Sequence, residues 1–273
     1  MRHFHRRRTA VVTTMLLAGL AFAGRVEADG VVFIDSCQTL STPNTVYRLT
    51  TNLTSGCFGC LVVAADKITI DMQGHSLTSQ GCPAGDTGIG QNASHDAITV
   101  KNGTIQGYTE GIALGTRASV LGVNVFNSGD IGIRLGAQGL VKSCELSGNF
   151  VGIDLGPRGQ VQQNNVHNNF HGIIARGDND LVTMNTVTAN IDGIILQNGD
   201  KSTVSYNTVS GNNTGISTFD GVGYLITRNV ALNNSSIDYS IDCPSDVTFN
   251  ESTLGFPTSY DLNGTGCKTP GND

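Results

Sequence analysis

The chain has 273 residues, no Trp, 14% charged residues, 35 Gly and a formal charge of −6 at neutral pH. An acidic balance speaks against nucleic acid and anionic membrane surfaces as partners. Ile, Val and Leu are spaced regularly along the chain, which excludes a long disordered tract and gives a globular protein of one-domain size.

In chain order, residues 1–28 read MRHFHRRRTAVVTTMLLAGLAFAGRVEA, a basic start followed by an apolar run from Ala10 to Ala23 and then small residues. This is the layout of a secretory signal peptide, and the run is too short to favour a membrane span. Cleavage after Ala28 or Ala23 suits the small-residue rule; Arg6, Arg7 and Arg8 also allow twin-arginine export, though the rest of that pattern is missing. These residues hold five Arg and one Glu, so their removal leaves a charge of −10. The expectation is a secreted or periplasmic protein with no membrane insertion.

Residues 29–87 are read as an N-terminal cap with the first coils of a solenoid, 88–242 as its repeats and 243–273 as a C-terminal cap. Seven Cys in an exported chain suggest disulfides with one thiol left over. Cys37, Cys57, Cys60 and Cys82 cluster near the start, where three connectivities are open, and Cys243 and Cys267 sit near the end. The CxxC at 57–60 resembles a redox or zinc motif, but export and its Cys neighbours favour structural disulfides.

The central region is a repeat. A Gly-Ile pair recurs at Gly88, Gly111, Gly132, Gly152, Gly172, Gly193 and Gly215, with spacings of 20 to 23 residues. A period in this range means stacked units, and short alternating runs of Val, Ile and Thr broken by Asn and Gly make those units strands and turns, not helices. Leu146, Val166, Val187 and Val209 fall six residues before the Gly, and Val141, Val161, Val182 and Val204 eleven before it. Asn164, Asn185 and Asn207 lie eight before it, and Asn149, Asn169, Asn190 and Asn212 three before it. Stacked coil on coil, these positions make aliphatic ladders and Asn ladders, with Asn suited both to left-handed backbone and to amide bonding between coils. Each unit is then one turn of a parallel β-helix, all-β and single-stranded. About nine coils between Leu61 and Ile241 would stack to about 40 Å at ~4.8 Å per coil. Cys144 falls on the Asn164 slot and is expected to be inward-facing and inert.

SCQTL, VYRLTTNLTSGCFGCLVVAADKITIDMQGHSLTSQG and ITVKNGTIQGYTEGIAL resemble the first coils of exported right-handed parallel β-helix proteins of the pectin-lyase-like superfamily. The repeats are similar to its carbohydrate-binding and sugar-hydrolase type, including NosD-type members. The resemblance implies a disulfide from Cys37 to Cys57, with Cys60 to Cys82 next, and a role on polysaccharide. It does not bring a mechanism. The polygalacturonase signatures, the Asp-Pro-His-Glu tetrad of alginate epimerases and the Gly-Gly-x-Gly-x-Asp calcium repeat are all absent; GDNDL at 177–181 and SHDAI at 94–98 match only fragments. Copper comes with the NosD-type label, yet no Met or His cluster supports it. Calcium stays open as a cofactor with no motif behind it.

The residue after each Ile should point outward, because strand side chains alternate. These are Ala113, Arg134, Asp154, Ile174, Ile195 and Ser217, and just before the Gly lie Glu110, Asp130, His171 and Asp192. Acids on neighbouring rungs would suit paired-carboxylate sugar chemistry, so Glu110, Asp130, Asp154, His171 and Asp192 are the catalytic candidates and Arg134 the substrate-binding one. Solvation of a surface explains the same acids, and a ladder ion pair explains Arg134 beside Asp154. His167 and His171 are four apart, a metal spacing on a helix but not across a β turn. His95-Asp96 reads as an acid-base couple or a turn. The expected function is an exported protein that binds polysaccharide or modifies it as a lyase, hydrolase or epimerase; the alternative is a non-catalytic structural or adhesive surface protein.

Overall fold

A computed structural model of the chain describes residues 30–56, 59–81, 85–248, 250–252 and 260–269. The expected signal peptide, Cys57 and Cys82 lie outside the described residues. All described elements are short strands, wound into a parallel β-helix, and among the described residues no helix is long and apolar enough to cross a membrane.

A regular coil consists of three strands, as in Gln160–Gln162, Asn165–His167 and His171–Arg176. The first two join a 19-stranded sheet, the wide sheet, and the third an 11-stranded sheet, the narrow sheet. Pairing between coils is parallel and in the expected register: Val161 faces Val182, Val166 faces Val187 and Ile173 faces Ile194. Those six side chains are fully buried, and each contributes about 1.5–3 kcal/mol of burial once the next coil lies on it. The narrow sheet has nine rungs from Leu61 to Ile241, with Gln38–Leu40 and Tyr260–Asn263 adding one at each end.

Both Asn ladders form. Asn164 donates from Nδ2 to Val141 O at 3.1 Å and to Asn185 Oδ1 at 2.9 Å, while its backbone N–H reaches the same Oδ1 at 2.9 Å. Asn185 repeats this with Val161 and Asn207. The left-handed backbone falls one residue earlier than expected, on Gln163, Met184 and Tyr206, with φ of 58°, 57° and 56°. The ladder Asn is thus freed to bond across coils, and its amide clamps the corner that its predecessor turns.

The Gly of each Gly-Ile pair is required by close approach. A Cβ on Gly172 would lie 2.5 Å from Gly193 O and 2.9 Å from the Val187 side chain. Cys144 fills its ladder slot as a buried free thiol, taking Asn164 Oδ1 on its backbone N–H at 2.9 Å. Burial pushes its thiol up to about 11, which suits an inert residue.

The N-terminal disulfide differs from the one that the resemblance implies. Cys37 pairs with Cys60, not Cys57, and this also removes Cys60 from Cys82. The reason is register: Gln38 faces Leu61 across two rungs, so Cys37 and Cys60 share one column, with Cα atoms 4.4 Å apart. Cys243 and Cys267 join at the other end, 24 residues apart and again one coil apart. Two disulfides between end coils fit an oxidising compartment.

Candidate functional site

The narrow sheet turns one face to the core and the other to solvent, and the second face carries the candidate residues. Its columns are set by pairing. One runs Glu110, Ile131, Val151, His171, Asp192. A second runs Ala113, Arg134, Asp154, Ile174, Ile195, Ser217, as the alternation predicts. Asp130 is a correction: Ile131 holds the slot before Gly132, and Asp130 precedes the strand Ile131–Leu135 by one residue.

Arg134 draws neighbouring acids together. Its guanidinium lies 2.5 Å from Glu110, 3.8 Å from Asp130 and 3.7 Å from Asp154. Arg176, which sequence reasoning passed over, reaches back one rung to Asp154 at 2.6 Å and donates to Gln197 Oε1 at 2.6 Å. Arg134, Asp154 and Arg176 flank a shallow cleft of about 270 Å³ that Gly136 and Gly156 also line.

Farther along, His171 and Asp192 form a separate pair, with Nδ1 2.8 Å from the carboxylate but without the alignment of a good hydrogen bond. Phe150 and Phe170, also unforeseen, stack at 4.9 Å between ring centroids, and both present an edge-on contact to His171. They stand 47% and 43% exposed, and Ile191 continues the ridge at 43%. The signal was available: all three sit two residues before a Gly of the repeat.

Between the two charged groups lies an apolar strip of Ile131, Val151, Ile174 and Ile195, a buried cluster distinct from the core. Charge and apolarity exchange columns between one coil and the next. Ile131 and Val151 occupy the first column where Arg134 and Asp154 hold the second; His171 and Asp192 take the first where Ile174 and Ile195 hold the second. The strip therefore crosses the sheet diagonally.

His167 does not join His171: it lies on the wide sheet, 3.3 Å from Glu145. His95 lies in a turn against Asp66 and Asn92 at 3.3 and 3.1 Å, and Asp96 pairs instead with Arg117. Among the described residues no group of three or more His, Cys, Asp or Glu side chains is placed to hold a metal, and the paired His and buried Cys144 supply no copper-like donor set. These residues do not fit a resident copper ion.

Solved structures share the fold. The A-module of the mannuronan C-5 epimerase AlgE4 of Azotobacter vinelandii superposes with a TM-score of 0.67 at 12% identity, over 88% of this chain and 85% of that one. The periplasmic alginate epimerase AlgG gives 0.59 at 16%, over 82% and 63%. Pectate lyase Pel9A gives 0.55 at 16%, over 74% and 65%. All are at identities that speak for the fold alone, and no curated protein sequence matches the chain. Residues 64–272 match the family model described as "Periplasmic copper-binding protein (NosD)", and with its right-handed, pectin-lyase-like β-helix the chain belongs to the NosD family.

Proposed function

We propose that this is an exported β-helix protein that binds polysaccharide on the outer face of the narrow sheet. The observation that carries the reading is the exposed Phe150–Phe170 stack beside the diagonal apolar strip, with ionic and amide groups on both flanks. Sugar rings present C–H faces and hydroxyls together, and a few polar groups around an apolar patch suit both. The polysaccharide-acting neighbours named above support the choice of ligand. The disulfides and the leader-like residues 1–28 support secretion or a periplasmic location.

Binding without turnover is favoured over catalysis. Glu110, Asp130 and Asp154 all engage Arg134, and the described connections beside the His171 coil are short: four residues separate Leu155 from Gln160 and three separate His167 from His171. The catalytic reading rests on His171 and Asp192, an acid-base couple at 2.8 Å on the open side of the strip. Affinity electrophoresis against a panel of polysaccharides, with Phe150→Ala and Phe170→Ala beside the parent, tests binding. New double bonds and reducing ends, followed with and without calcium, test turnover. Retention lost in the Phe variants with no product is the expected result; no retention on any polymer would sink the proposal and leave a structural or adhesive role.

A further inference from the structure

Building on the polysaccharide reading, we infer that the ligand of the narrow-sheet face is an uncharged glycan and not a polyuronate. The inference comes from the charge inventory of this face. Among the described strands of the narrow sheet the only cationic residues are Arg134 and Arg176; there is no Lys. Against them the same strands carry Glu110, Asp154, Asp192, Asp238, Asp242 and Asp261, and Asp130 stands one residue ahead of its strand, so carboxylates outnumber guanidiniums on this sheet.

Both guanidiniums already face protein carboxylates. Arg134 has a different carboxylate against each of its three nitrogens, and Arg176 spends Nε on Asp154 and Nη1 on Gln197. Recognition of a carboxylate by Arg is strongest where the guanidinium is not already sharing its charge with another acid. A uronate arriving here would meet the field of the protein carboxylates beside each Arg, on a face already acidic. What the face exposes is apolar: the Phe150–Phe170 stack continued by Ile191, beside the buried strip through Val151 and Ile174. Ring faces of neutral sugars fit this surface, and their hydroxyls can bond to Asp192 and Gln197 without charge conflict.

The test compares polymers on the unaltered protein, so it does not depend on a variant folding. Neutral β-mannan, xylan and β-glucan are titrated by calorimetry beside polymannuronate and polygalacturonate of matched length and beside an amino glycan, at low and physiological salt. The expected result is a neutral glycan bound at least about tenfold more tightly than either uronate, with little change on adding salt. Asp130→Asn combined with Asp192→Asn should narrow that gap. Uronate binding that equals or exceeds neutral binding and weakens with salt would overturn the inference while leaving the polysaccharide reading standing. Binding of the amino glycan alone would overturn it as well. No binding to any polymer would mean that the polysaccharide reading itself has failed.

Discussion

The inside of the coil and the outside of the narrow sheet obey different rules. Inside, Asn164, Asn185, Asn207 and Asn229 occupy one column without interruption, and Val141, Val161, Val182 and Val204 another. Outside, the column Arg134, Asp154, Ile174, Ile195, Ser217 changes character at nearly every rung. The difference teaches where the constraint lies. An interior residue must satisfy its own copy one coil away, so each substitution is judged twice; an exterior residue meets solvent or ligand and is free to specify something.

The comparison breaks most visibly at an interior Asn. Asn185→Ala leaves the Asn164 N–H, Val161 O and Asn207 Oδ1 short of a partner at once, and should cost roughly 3–5 kcal/mol. Denaturant unfolding measures this, and a loss under about 1 kcal/mol would mean that the ladder is ornamental to stability.

Asp180 is the interior exception, a buried acid with one oxygen accepting from Gly159 N–H at 2.8 Å and the other without a partner. Burial pushes its carboxyl up to about 7 from 3.8. The native state then holds a proton that the unfolded chain has already released, so this group's contribution is greatest below about pH 4 and is lost as pH rises through about 7. Asp180→Asn keeps the Gly159 contact and should stabilise the protein above pH 7 by about 2 kcal/mol, allowing for solvent screening, with no gain below pH 4. Melting curves at pH 4 and pH 8 decide it; equal effects at both would refute the assignment.

On the outer face the expected order reverses, with small stability effects and large binding effects. Phe170→Ala exposes no core and should change stability by less than about 1 kcal/mol. It should nonetheless weaken glycan retention about tenfold or more, because it removes half of the stack. Smallest of all is Arg117→Ala. Its pair with Asp96 is 2.5 Å long but exposed on both sides, so its loss should cost under about 0.5 kcal/mol and vanish in salt.

Much of this was legible in the sequence because a solenoid writes its period into the chain. Gly-Ile spacing gave the coil, Val and Asn offsets gave the interior columns, and Cys144 could be placed in its ladder slot by counting alone. The outer column after each Ile was also readable. The Cys37–Cys60 pairing was not, since the irregular first coils carry no Gly-Ile ruler and only the pairing of Gln38 with Leu61 sets them in register. Asp130 was misplaced by one residue although the sequence itself sets Ile131, not Asp130, directly before Gly132.

By itself, then, the sequence determined the repeat, the class of fold and which side chains face inward, because each of these follows from a local pattern reiterated at a fixed period. Only the tertiary structure decided what the exterior holds together. The gathering of Glu110, Asp130 and Asp154 on Arg134, the reach of Arg176 back to Asp154 and the diagonal strip from Ile131 to Ile195 depend on contacts between coils about 20 residues apart. Those contacts depend on the length and direction of individual side chains, and periodicity records neither.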